Sequence, residues 1–174
     1  MMLRAATHDD IPAIARVHVD AWQTTYRGIL PAKVLQTLTY QKSENSWRRI
    51  FAEAPGADQF TYVAENPLGQ IIGFASGVLE REGHSVYQGE LYAIYMLAAH
   101  QRQGIGRELV QAIACQLAQI NIQTMLVWVL EDNPACRFYE AIGGQKVEQK
   151  AIERGGAIFT EVAYGWTDIS RLYG

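Results

Sequence analysis

The sequence predicts a mixed α/β fold: a central, mostly antiparallel sheet with helices on both faces. Three observations lead there. Strand-like segments at 60–64, 71–79 and 90–98 follow one another through short connections, as neighbours in an antiparallel sheet do. After them, helix and strand patterns alternate, which layers helices against the sheet. The last two strands meet at Gly155-Gly156, a hairpin signal. The 174 residues suit one domain, 1–174, with one sizeable core.

Taken in order, a short strand is expected at about 2–6, then a helix from Asp9–Pro12. Asp9 or Asp10 can cap it, and Pro12 suits a first turn. Ile14, Val17, His18 and Ala21 keep helical spacing until Gly28 and Pro31 break it. Two shorter helices are expected at 31–39 and 42–53. Asn66-Pro67-Leu68-Gly69 turns the chain between the strands at 60–64 and 71–79. Ile105, Leu109, Ile113, Leu117 and Ile120 form one apolar stripe of a helix. A strand at 124–130 and a helix at 133–141 follow, the helix closed by Gly143-Gly144. The final hairpin takes 145–154 and 157–166.

A net charge of -3 argues against a broad grip on nucleic-acid phosphates. The two cysteines, Cys115 and Cys136, have no CxxC spacing, and His8, His18, His84 and His100 share no ligand pattern. No metal is expected. No apolar run reaches the length of a membrane span, and the first residues lack the apolar stretch of a secretory signal. A cytoplasmic location, with no membrane partner, is the expectation.

Chemistry concentrates in Arg102-Gln103-Gly104-Ile105-Gly106-Arg107, between the strand at 90–98 and a helix. A strand feeding a glycine-rich turn and a helix start exposes backbone N–H groups and positive dipole potential, suited to a diphosphate. Arg102 and Arg107 add charge. No Gly-Lys-Ser/Thr ending exists for a Walker loop, and Leu109 stands where a dinucleotide fingerprint needs its third small residue. Alone, the run reads more readily as a plain glycine turn before an amphipathic helix than as a ligand site.

A second segment changes its meaning. Asn133-Pro134-Ala135-Cys136-Arg137-Phe138-Tyr139-Glu140 precedes Gly143-Gly144. With Gln101-x-x-Gly104-x-Gly106 after a long strand, it resembles the paired motifs of the GNAT superfamily, the Gcn5-related N-acetyltransferases. The motifs span 90–144, and the order of elements matches over nearly the whole chain. The resemblance implies acetyl-CoA as co-substrate and an amine as acceptor. It implies that Arg102, Gln103, Gly104, Ile105, Gly106 and Arg107 hold the CoA pyrophosphate. It also implies that Ile94, Tyr95 and Met96 run beside the pantetheine arm, in a slot made by a parallel splay between strands four and five. Many relatives carry an asparagine seven residues before the tyrosine; here Asp132 stands there and Asn133 stands six before it. Asn133 keeps the residue type and is the favoured CoA contact.

Amine acetylation needs a base, an oxyanion donor and an acid. An alkylammonium, pKa about 10.4, must lose a proton before attack. Glu90 is the candidate base, 14 residues before Gly104. The family's histone acetyltransferases place a catalytic glutamate at that offset. Burial there would favour proton uptake, although a residue just after Gly89 can also be solvated. A backbone N–H near Met96 would receive the oxyanion. Tyr139, at the family's tyrosine position, is the candidate acid toward the thiolate; its alternative is a core aromatic. Trp22, Tyr26, Tyr87 and Tyr92 are candidate walls of the acceptor pocket, with core packing the alternative for Trp22.

The acceptor class expected is a small-molecule primary amine. A protein amine, or acyl-CoA sensing without turnover, are the rival readings. Ile158, Phe159, Val162, Tyr164 and Trp166 in the closing hairpin raise a homodimer, since an apolar terminal strand needs cover. The same residues can instead face the domain's own helices.

Overall fold

A computed structural model of the chain describes residues 1–53 and 59–173. One seven-stranded sheet organises them, in the order β1-β2-β3-β4-β5-β7-β6. The strands are β1 (Met2–Ala5), β2 (Gln59–Glu65), β3 (Ile71–Leu79), β4 (Gly89–Met96), β5 (Met125–Leu130), β6 (Gln145–Arg154) and β7 (Ala157–Trp166). Every pairing is antiparallel except β4 with β5. That exception is short. Gly89 lies opposite Met125 and Glu90 opposite Leu126, and there the pairing ends. The expected splay is present.

The helices are α1 (Ile11–Tyr26), α2 (Ala32–Leu35), α3 (Tyr40–Glu53), α4 (Ile105–Gln119) and α5 (Ala135–Ala141). Four of the five stripe residues lie on α4 as the spacing requires, while Ile120 falls at the C-cap, half-buried and outside the core. Ile105, Leu109, Ile113 and Leu117 are buried against one face of the sheet with Ile72, Leu91 and Val127. On the opposite face, Ile11, Ile14 and Val17 of α1 and Trp47 of α3 pack on Val63 and Phe74. A smaller cluster, Tyr26, Leu30, Leu35 and Leu130, joins the end of α1 to the end of β5. Among the described residues no helix is long and apolar enough to cross a membrane.

Several boundaries differ from expectation, each for a local reason. The helix expected at 31–39 is the four-residue α2. The Thr37 hydroxyl donates to the Val34 carbonyl, and the Thr39 hydroxyl accepts from Lys42 N–H to start α3. Hydroxyls that bond nearby backbone compete with helix propagation. The helix expected from Asn133 begins at Ala135, because the Asn133 side chain accepts from Ala135 N–H at 2.9 Å and holds the entry open. The strand expected to reach residue 98 ends at Met96, where a short 3-10 turn (Ala98–His100) begins. A buried 3-10 turn, Ile169–Leu172, seals the base of α4; the sequence offered no periodicity long enough to find it.

In the final hairpin, Val162, Tyr164 and Trp166 enter the core around α4, and Phe159 packs with the Tyr26 cluster. Ile158 alone of the five is exposed, at 72%. The aromatic content therefore serves the domain's own helices. Among the described residues the sheet has two edge strands, β1 at one side and β6 at the other.

Asp10 precedes α1, but its carboxylate does not cap that helix. It accepts from Thr7 N–H at 2.7 Å and from both terminal nitrogens of Arg4, which also reaches Glu65. The cluster ties β1, β2 and the start of α1 together. Arg4 holds the Asp10 carboxyl down at about 2, against an ordinary 3.8. A depressed carboxylate stabilises the fold above its unfolded pKa, and that contribution disappears as pH falls through the folded value. Asp10→Asn should therefore cost on the order of 2 kcal/mol at neutral pH. The difference from the parent should shrink between about pH 4 and pH 2, read by urea unfolding across that window. A pH-independent difference would contradict the assignment.

Candidate active site

The site is built around the splay. At its closed end, Gly89 and Glu90 pair with β5. Beyond them β4 carries a bulge: Ser76 of β3 opposes Ala93 and Gly77 opposes Leu91, so Tyr92 has no partner. A bulge re-aims the side chains around it, and Tyr92 is 40% exposed. Past the bulge, Ile94, Tyr95 and Met96 follow the open side of the splay.

At the far end, the chain enters α4 through a left-handed glycine. Gly104 is the N-cap residue at φ 85°, with no side-chain cap bond. Arg102 also has positive φ, 61°. A Cβ at Gly104 would meet nothing within 4 Å, so the space over the turn is open. Of the first N–H groups of α4, that of Arg107 donates to the Gly104 carbonyl at 3.0 Å; those of Ile105 and Gly106 have no acceptor within the helix, and exposed Arg102 and Arg107 flank them. Gly106 lies against Met96 and Phe138, bringing the helix start close to both β4 and α5. The turn at 102–107 is thus open above Gly104 and flanked by two exposed arginines.

Glu90 is neither solvated nor bare. It is 4% exposed. Both its oxygens accept from Arg81: Nε at 3.0 Å and Nη2 at 2.8 Å. The same guanidinium lies 4.7 Å over the Tyr92 ring. Sequence reasoning missed Arg81, because it stands in the loop between β3 and β4, where spacing carries no signal. That loop is fixed across the sheet. Glu82 accepts from Lys150 at 3.0 Å, and His84 lies 2.9 Å from Glu148. Tyr87 is buried over Gly165, where a Cβ would come within 2.4 Å of its ring. Tyr87 therefore anchors the loop.

Tyr139 is 4% exposed, packed beside Tyr164 and Trp166. Burial, with Tyr26 and Cys136 nearby, pushes its hydroxyl well above the ordinary value. It carries its proton at neutral pH. Asn133 turns inward: its Nδ2 donates to the Tyr26 hydroxyl at 3.1 Å, while exposed Asp132 does not. Tyr95 packs against the cluster that holds Tyr26. Tyr26, Tyr95 and Asn133 thus meet near the end of β5, while Tyr139 packs in the core around α4. Trp22 packs edge-on to Tyr26 at 5.4 Å. His18, held neutral by burial with its pKa near 4, lies against the Tyr95 ring. The Cys136 thiol is raised by burial and points to the Leu130 and Glu131 carbonyls, so it is no nucleophile.

Comparison with known proteins agrees with this geometry. The family model of FR47-like protein matches residues 74–152, from β3 through the cradle and α5 into β6. An uncharacterized N-acetyltransferase of Bacillus subtilis (strain 168), YuaI, is 40% identical over 170 residues, covering 98% of this chain and 95% of that protein. Among solved structures, the PaiA N-acetyltransferase of Thermoplasma acidophilum, in complex with coenzyme A, superposes with TM-score 0.69 at 18% identity, covering 92% of this chain and 96% of that one. The ribosomal-protein-alanine N-acetyltransferase of Brucella melitensis gives 0.73 at 20% identity, covering 95% and 99%. A near full-length relative, the same fold, and a family match across both motif segments agree on one conclusion: the chain is an acyltransferase and belongs to the GNAT superfamily of N-acetyltransferases.

Proposed function

We propose that the protein transfers an acetyl group from acetyl-CoA to a primary amine of a small molecule, by direct attack within a ternary complex. One observation carries this: β4 parts from β5 after two residue pairs, between an uncapped helix start and a buried tyrosine. The cradle at 102–107 would take the pyrophosphate through backbone N–H groups. Ile94, Tyr95 and Met96 would pair with the pantetheine arm as an added strand does.

Glu90 would accept the proton of the acceptor ammonium, directly or through a water. Arg81 engages each carboxylate oxygen once, which leaves further lone pairs for that proton. A backbone N–H near Met96 would stabilise the oxyanion. As the C–S bond breaks, Tyr139 would give its proton to sulfur. Its raised pKa keeps that proton available at neutral pH. The Arg81 loop, with Tyr92, and the Trp22–Tyr26 pair would bound the acceptor. A fixed, aromatic-lined wall of this kind suits a small molecule better than a long peptide groove.

Gly104→Val tests the cradle. It strains a left-handed position and fills the open space over the turn. CoA affinity should fall by about tenfold or more, roughly 1.4 kcal/mol per tenfold. Calorimetry giving equal affinities would remove the turn from the site.

Glu90→Gln and Tyr139→Phe test the proton steps. Glu90→Gln should lose rate most at neutral pH and recover partly as pH approaches about 10, where free amine accumulates. Tyr139→Phe should lose roughly tenfold to ten-thousandfold in turnover while keeping CoA affinity. Thiol release with a panel of amines reads both, and full activity of Tyr139→Phe would end its role as the acid.

A further inference from the structure

We propose that the acceptor is an amine that carries its own carboxylate, as an amino acid does, and that Arg81 is the residue that selects it. The inference rests on the acetyl-transfer reading and deepens it by naming the substrate class.

A guanidinium presents its N–H donors in one plane. Glu90 takes those of one side, from Nε at 3.0 Å and from Nη2 at 2.8 Å. This side-on pairing leaves the outer edge, formed by Nη1 and the second N–H of Nη2. Parallel N–H groups on such an edge match a second carboxylate. Among the described residues no side chain fills it, because the nearby carboxylates have other partners. Glu80 accepts from the N–H groups of Glu82 and His84, at 2.9 and 2.7 Å. Glu82 takes Lys150 at 3.0 Å, and the same ammonium lies 4.0 Å from Glu161 and 3.9 Å over the Trp128 ring. Glu148 is held by His84. Tyr92 covers one flat face of the guanidinium. The Glu90 side chain is 5% exposed and that of Arg81 55%. The pair thus keeps its carboxylate inside and presents the rest of the guanidinium outward.

A carboxylate and a guanidinium side by side define what fits against them. An ammonium brought to Glu90 also comes close to Arg81, because the two are in contact. Like charge there opposes a plain alkylammonium. A zwitterion meets the pair with its complement: ammonium on the carboxylate, carboxylate on the guanidinium. The reaction adds to the requirement. Once Glu90 has taken the proton it is neutral, and Arg81 loses the charge that compensated it. An acceptor carboxylate on the outer edge keeps Arg81 paired through that step. The acetyl carbon exchanges its bond to sulfur for one to nitrogen, and the C–S electron pair leaves on sulfur. Of the two protons that the ammonium sheds, one balances the new thiol and the other leaves through Glu90.

The probes are L-amino acids, each beside its methyl ester, with simple alkylamines and polyamines for contrast. Thiol release from acetyl-CoA gives kcat/KM, compared per free amine because esterification lowers the amine's own pKa. At least one amino acid should exceed its ester by about tenfold or more, since a site that pairs a substrate group rejects the analogue lacking it. Arg81→Gln removes the fork and also leaves Glu90 without its partner, so both rates should fall. The acid-to-ester ratio should fall further, to within about threefold of unity. A change in that ratio is what a merely structural Arg81 would not produce. If Arg81→Gln lowers acid and ester by the same factor, Arg81 only holds Glu90 and the proposal fails. Arg81→Lys keeps the charge without the planar edge; it should lower the ratio too, and an unchanged ratio overturns the proposal. Should Arg81→Gln fold poorly by thermal unfolding, the ratios of the parent and of Arg81→Lys decide. A parent protein that acetylates alkylamines or polyamines but no amino acid keeps the acetyl-transfer reading and overturns this one. A parent that releases thiol with none of these amines overturns both.

Discussion

A sheet of seven strands normally pairs each backbone N–H and C=O with a neighbour, because an unpaired buried polar group costs free energy. Here the ladder between β4 and β5 has only two residue pairs among the described residues, Gly89 with Met125 and Glu90 with Leu126. Beyond them β4 and β5 diverge with their facing edges unmatched. The separation is held from both sides. The α4 helix packs beneath, and the end of α1 with Tyr26 lies across the opposite face. A gap propped open by packed helices is a slot for an extended ligand that supplies the missing strand. The glycine turn at 102–107, Tyr95 and Glu90 are all placed along the edge of that gap by β4 and the turn that follows it.

Electrostatics divides the site into two regions. The closed end is ionic: Glu90 is buried and compensated by Arg81, whose other contact is the face of Tyr92. A buried carboxylate left without such a partner would be far more costly. The open end is neutral and hydroxyl-rich, with Tyr26, Tyr95 and Tyr139 all raised by burial. The ionic pair and the hydroxyls are thus held apart, with Glu90 and Tyr95 five residues from each other on β4 and Tyr26 and Tyr139 supplied by α1 and α5. That arrangement matches a reaction in which the acceptor loses a proton and the leaving group gains one.

The loop between β3 and β4 connects the site to the rest of the surface. Lys150 and Glu148 of β6 hold Glu82 and His84, and Gly165 of β7 leaves room for Tyr87. Glu82 and Lys150 are exposed enough that their pair adds little stability by itself. The buried Tyr87 ring is the stronger anchor. The position of Arg81, and so its pairing with Glu90, depends on strands remote in sequence.

The sequence alone determined the elements whose physics is local. Periodicity placed α4 and its stripe. Turn chemistry placed the hairpin at Gly155-Gly156 and the Asn66 turn, whose side chain accepts from Leu68 and Gln70 N–H. A glycine-rich run before a helix marked the cradle, since positive φ at Gly104 is a property of the residue and its turn. The motif spacing marked Glu90, Asn133 and Tyr139 as residues of interest. Their partners were decided only by tertiary structure. Arg81 reaches Glu90 across a loop, and Tyr26 meets Asn133 across 107 positions of chain. Whether a buried carboxylate stays bare or paired, and which way a hydroxyl proton points, depends on what the folded sheet brings within hydrogen-bond distance. No local pattern encodes that distance, because it is set by how helices on two faces close around one gap.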